Sequence, residues 1–160
     1  LSVLLLAGCA GVQAPDAATT FTVVRHAEKA DDGSRDPPLS AAGRARAQAL
    51  ALRLSTSPLT AAYATPFRRT QQTAQAVAAT HGISVSTYDP AIAPSDFAAT
   101  LRARHHRGTV LVVGHSNTVP ALVAALCSCR VAALGEDDYD ALYTIRVDAG
   151  GHATLDVGRQ

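Results

Sequence analysis

The run Thr109 to Val113, TVLVV, constrains the architecture more than any other stretch of the chain. Its unbroken Val and Leu side chains offer water no polar side, so the strand they form needs cover on both faces, as the inner strands of a parallel sheet have. Phe21 to Arg25, FTVVR, is a second β-rich run, and it stops at His26. Between the two, Ser40 is placed to cap a helix after the Gly- and Pro-bearing loop Asp31 to Leu39. Ala47, Leu50, Ala51 and Leu54 then fall at i, i+3, i+4 and i+7, one face of an amphipathic helix. Ala61 to Thr65 predicts a short second strand, and Pro66 opens a helix that Gly82 ends, with Phe67, Thr70, Ala74, Val77 and Ala78 on its apolar face. Ile83 to Tyr88 alternate as a third strand, and Ser95 caps a helix running toward His105. After TVLVV, Asn117 caps a helix through Leu126, and Leu142 to Val147 and Ala153 to Val157 flank the Gly150-Gly151 turn as a hairpin. The alternation predicts an α/β fold, a three-layer sandwich with a mostly parallel central sheet and helices on both faces.

The 160 residues suffice for one domain with its own core, and we place it at residues 21–160. A chain 48% hydrophobic and 17% charged is too apolar for disorder, and it has no apolar run long enough to span a bilayer. Net charge is +1, which gives no reason to expect a nucleic-acid partner. Residues 1–20 read differently. Leu1 to Ala10, LSVLLLAGCA, is an apolar stretch ending in small residues and Cys9, and a loose segment follows. It looks like the remnant of a secretory signal, and because the chain contains no Met, the true start with its basic region is expected further upstream. Leu6-Ala7-Gly8-Cys9 resembles a bacterial lipobox, in which the cysteine is acylated. Acyl chains contribute about 0.8 kcal/mol per buried CH₂, enough in combination to hold a domain at a membrane. The expectation is a periplasm-facing, lipid-anchored protein of the bacterial cell envelope, with Ala10 after the cysteine favouring the outer membrane. A plain cleaved signal and a short buried strand are the alternatives. Cys127 and Cys129 remain, either a disulfide or two thiols, with no second Cys/His pair at finger spacing to make a metal site.

Three polar clusters follow predicted strands: Arg25-His26-Ala27-Glu28-Lys29, Thr65-Pro66-Phe67-Arg68-Arg69-Thr70 and Gly114-His115-Ser116-Asn117. In open α/β sheets ligands bind beyond the carboxyl ends of the strands, so two histidines and at least two arginines converge on one pocket. Guanidinium forks match a phosphoryl group bidentately, and with a second histidine they supply positive charge without a metal. A neutral imidazole is a good nucleophile toward phosphorus, and neighbouring arginines keep it neutral.

These clusters resemble the histidine phosphatase superfamily, also called phosphoglycerate mutase-like, over Phe21 to Val157. The family's Arg-His-Gly or Arg-His-Ala after the first strand is matched by Arg25-His26-Ala27, its arginine before Thr-Ala by Arg69 in TPFRRTQQTA, and its late Gly-His by Gly114-His115. The resemblance implies that His26 is the phosphorylated nucleophile and that Arg25, Arg69 and His115 bind the phosphoryl group, with Arg68 an exposed neighbour. RHAEK with GHSNT looks most like the small exported branch. It further implies a metal-independent phosphomonoester hydrolase without cofactor, a small phosphorylated substrate, and a monomer or dimer. A mutase of the same family, in which insertions close the site, and a non-catalytic module that binds a phosphorylated ligand are the alternatives. The family's glutamate general acid has no counterpart, since no Glu lies between Glu28 and Glu136. Asp89 in STYDP is the candidate by position, and Glu28 the rival.

Overall fold

A computed structural model describes residues 18–160, so the tether expected at residues 1–20, with Cys9, lies almost entirely outside the described residues. The chain runs β1 (Thr19–Arg25), α1 (Ala41–Leu54), β2 (Leu59–Ala64), α2 (Arg68–Thr80), β3 (Val85–Thr87), α3 (Pro94–Arg104), β4 (Gly108–Gly114), α4 (Val119–Cys127), β5 (Ala141–Val147) and β6 (Ala153–Arg159). One sheet orders them β3-β2-β4-β1-β5-β6. The first four strands of that order pair in parallel, and β5 and β6 add an antiparallel hairpin at the edge.

Period-two alternation divides the inner strands between two cores. Phe21, Val23, Val110 and Val112 face Phe97 and Leu101 of α3 and Leu122, Val123 and Leu126 of α4. Val24, Leu111 and Val113 face Leu50 and Leu54 of α1 and Ala74 and Val77 of α2. TVLVV is therefore covered on both sides, as its composition requires, and the sandwich has three layers.

Helix starts depart from expectation in three places. α2 begins after Phe67, with Pro66 outside it, and Phe67 is its N-cap without a side-chain cap bond. α3 is capped at Ala93 and has Pro94 in its first turn, so Ser95 already lies inside the helix. The N-cap of α4 is Thr118 rather than Asn117, and its side chain makes no cap bond; the Thr118 Oγ1 accepts instead from the backbone N–H of His115 at 3.1 Å. Ser40 caps α1 as expected, its Oγ accepting from Gly43 N–H at 3.0 Å. Gly43 also sets how closely α1 packs. A Cβ there would overlap the Glu28 carbonyl, so only glycine lets α1 press against the segment after His26. Cys127 and Cys129 are joined by a disulfide at the end of α4.

Candidate active site

Register brings the strand ends together. Arg25 of β1 pairs with Gly114 of β4, and Ala64 of β2 with Val113, so residues 26, 65 and 115 emerge side by side at the carboxyl edge. The bond from His26 N–H to Gly114 O, 2.9 Å, extends the ladder into the site. An open cavity of about 430 Å³ lies there, lined by Arg25, His26, Arg69 and His115. Lys29, Phe67, Glu136 and Tyr139 also line it, together with Pro90 and Ser116 to Thr118.

His26 is 5% exposed, and its ring orientation is set by its own neighbour: Nδ1 stands 2.8 Å from the Ala27 carbonyl. A carbonyl can only accept, so Nδ1 carries the proton and Nε2 presents its lone pair. Arg69 Nε donates to that Nε2 at 3.2 Å. Burial, followed by the charges of Arg69, His115 and Arg25, lowers the His26 pKa to about 4 despite the opposing bond to Ala27. The ring is neutral at physiological pH and aims its lone pair at a guanidinium.

His115 lies edge-on to His26 with ring centroids 5.4 Å apart. Its Nε2 meets Thr65 Oγ1 at 2.9 Å, and Thr65 in turn meets Thr70 Oγ1 at 2.8 Å, so a buried hydroxyl chain holds the ring. Burial and the same two arginines lower its pKa to about 4. Arg25, 5% exposed, is clamped by the loop before β5: its Nη1 donates to the carbonyls of Gly135 and Glu136 at 3.1 and 2.7 Å, and Tyr139 stacks under the guanidinium at 4.0 Å. Its Nε is buried with no partner. A buried unpaired donor costs free energy unless something accepts from it, and an oxygen of a bound phosphoryl group is a suitable acceptor.

Arg69 is held over the Phe67 ring at 4.7 Å and lies 3.6 Å from Asp36. The same carboxylate accepts from Arg68 N–H at 3.0 and 3.2 Å, satisfying a free donor in the first turn of α2. The Arg68 side chain is exposed and does not line the cavity.

The two acid candidates sit elsewhere. Asp89 is exposed and closes a turn onto Ala91 N–H at 2.8 Å, while its neighbour Pro90 lines the cavity. Glu28 is engaged by Arg46 through both carboxylate oxygens, and that pairing lowers its pKa. The acidic residue that does line the cavity is Glu136, fixed through its own carbonyl by Arg25. Sequence patterns do not point to Glu136, Tyr139 or Asp36 as site residues, and they place Phe67 on the apolar face of a helix rather than in the cavity. Of these only Asp36, between a turn and paired prolines, carries a local signal. Among the described residues, no three His, Cys, Asp or Glu side chains gather as a metal-binding group.

Residues 21–92 match the family model of the histidine phosphatase superfamily, branch 1. The matched segment carries Arg25, His26 and Arg69. Solved structures extend the likeness in fold over most of the chain. The protein histidine phosphatase SixA complexed with tungstate aligns at TM-score 0.70 and 21% identity, over 88% of this chain and 96% of that one. A mycobacterial glucosyl-3-phosphoglycerate phosphatase aligns at 0.69 and 18%, over 89% and 99%, and Bacillus stearothermophilus YhfR at 0.69 and 22%, over 87% and 96%. No curated protein matches in sequence.

Proposed function

We propose that the chain is a phosphomonoester hydrolase that works through a phosphohistidine on Nε2 of His26. The observation that carries this reading is the Nδ1–H bond to Ala27, which leaves the Nε2 lone pair facing the Arg69 guanidinium in a cavity that Arg25 and a second imidazole also line. The arriving phosphoryl group displaces the Arg69 Nε contact and takes its donors for the oxygens, joined by Arg25. The phosphate's negative charge opposes the effect of the arginines on His115, so that ring can bind as an imidazolium. Nε2 attacks phosphorus as the P–O bond to the alcohol breaks. The leaving oxygen takes a proton, which we assign to Glu136 as the acid lining the cavity. Water then attacks phosphorus, its proton passes to the Glu136 carboxylate, and the P–N bond breaks to release phosphate. No cofactor enters this cycle.

The test is direct. Brief mixing with a ³²P-labelled phosphomonoester and quenching in alkali should trap acid-labile, base-stable label on the protein. His26→Ala should lose both label and turnover, by on the order of 10⁴-fold or more. Turnover near the unmodified rate in that variant, with a chelator present, contradicts the mechanism.

We further propose attachment to the bacterial cell envelope through Cys9, facing the periplasm and favouring the outer membrane. The support is LSVLLLAGCA alone. Among the described residues no helix is long and apolar enough to cross a membrane. In a precursor with its complete leader, Cys9→Ser should move the protein from the membrane to the soluble fraction, and unchanged sedimentation with membranes refutes the anchor.

A further inference from the structure

A second cavity of about 220 Å³ adjoins the catalytic one and is of different character. The connection from β3 to α3, YDPAIAP, forms one wall with Tyr88, Pro90 and Ile92, and Phe97 and Leu122 line it from α3 and α4. The two spaces share Pro90, Asn117 and Thr118 as lining, so a ligand whose phosphoryl group sits at His26 can extend across them into the second.

The lining is apolar by construction. Tyr88 and Phe97 stack with ring centroids 4.3 Å apart and 19° between planes. The one polar atom of that pair, Tyr88 Oη, is turned inward to donate to the Val113 carbonyl at 3.3 Å. Only the ring is left to meet a ligand. Ile92, 38% exposed, lines the cavity here. A single exposed isoleucine on a convex surface means little. Here it borders a concave apolar space that opens beside three phosphate-binding side chains, which is how ligand sites are built: apolar walls with a few convergent polar groups.

We propose that this apolar cavity is the leaving-group subsite, and that the substrates are phosphomonoesters carrying an aromatic or branched aliphatic group close to the phosphate. The proposal rests on the phosphatase reading and narrows its substrate class. The size fits: a dry cavity of about 150 Å³ lined by aliphatic and aromatic residues takes up benzene, so this one has room for a single ring or a chain of similar bulk. Short polar alcohols would leave the walls unfilled and gain no apolar burial.

Binding of phosphonates, which cannot be hydrolysed, separates this proposal from the catalytic one. By titration calorimetry on the full chain, benzylphosphonate should bind on the order of tenfold more tightly than methylphosphonate, reflecting burial of one ring at a partly open site. Ile92→Asn and, independently, Ala91→Asn should reduce that ratio to about threefold or less. Equal affinities in the unsubstituted protein, or a ratio that survives both substitutions, overturn the subsite. So does a dimer on gel filtration that Ile92→Asn dissociates while the ratio is unchanged, since a second copy then covers the cavity. Should p-nitrophenyl phosphate not be turned over while the phosphonate preference and its loss in the variants hold, the hydrolase reading fails and the subsite stands. Turnover without any preference has the converse meaning.

Discussion

The two ends of the parallel strands hold cavities of nearly equal size, about 430 Å³ at the carboxyl end and about 420 Å³ at the amino end, and both are furnished with arginine and histidine. At the amino end these groups are spent on the fold. Arg102 donates to the Gly151 carbonyl at 2.9 Å, His105 Nε2 meets Tyr63 Oη at 2.9 Å, and the His105 carbonyl accepts from Thr19 at 3.0 Å. The side chains of Arg104, His106 and Arg107 are exposed around the end of α3, where basic residues offset the helix dipole. At the carboxyl end the same residue types are held but not used up: Arg25 keeps an unpaired Nε, and the Nε2 of His26 accepts only from Arg69 Nε. Burial lowers the pKa of His105 as well as of His26 and His115, so a depressed histidine does not by itself distinguish the ends. The buried donor left unsatisfied at Arg25 Nε does.

The contrast breaks most readily at Arg69. Arg69→Ala should lower kcat/KM by about 10²–10³-fold, the loss typical of a donor aimed at developing charge, whereas Arg68→Ala should change it by less than about threefold. Equal losses would mean that the helix end rather than the Arg69 side chain binds the phosphoryl group. Leaving-group dependence sharpens the picture next. Glu136→Gln should slow alkyl phosphates by about 10²-fold and leave p-nitrophenyl phosphate, whose leaving group needs no proton, within a few-fold. Asp89→Asn should slow both substrates equally or neither, and the selective pattern in Asp89→Asn would transfer the acid role to it.

Smaller effects follow from pH. With His26 protonating only near about 4, kcat/KM corrected for the substrate's own ionisation should hold at pH 5, where a histidine of ordinary pKa near 6.5 would cost about 30-fold. The same shift has a linked stability effect of defined sign. Between about pH 6.5 and 4 the unfolded chain binds protons at His26 and His115 that the folded one refuses, so stability falls as pH falls through that window and levels off below it. A melting temperature that stays flat from pH 7 to 4 would contradict the buried neutral histidines. The amino-end cavity should show the least catalytic effect: Arg102→Ala is expected to keep kcat/KM within about twofold while costing ~0.5–1.5 kcal/mol of stability for the lost bond to Gly151. A catalytic loss larger than the stability loss would give that end a role in the reaction.

Local patterns make the elements and the polar clusters at the strand ends legible, because strand runs and helix faces are written in neighbouring residues. The helix starts are less legible. Pro66, Ser95 and Asn117 are all good local signals, yet the fold places the N-caps at Phe67, Ala93 and Thr118, none of them with a side-chain cap bond. The proposed proton donor is least legible of all. Asp89 and Glu28 lie near strand ends in the chain, but a turn onto Ala91 engages one and Arg46 the other. Glu136 comes from a loop more than a hundred residues from His26 and reaches the cavity because Arg25 clamps that loop from below.

By itself, then, the order of residues determined that TVLVV must be an inner strand, that helices cover it on both faces, and that Arg25-His26 and Gly114-His115 stand at strand ends. These follow from hydrophobic period and from strand direction, which are properties of neighbouring residues. Tertiary structure alone decided which guanidinium keeps a free donor and which carboxyl reaches the cavity. Each of these depends on hydrogen bonds between segments distant in the chain, and a hydrogen bond a few tenths of an ångström too long is not one; no local pattern encodes distances of that kind.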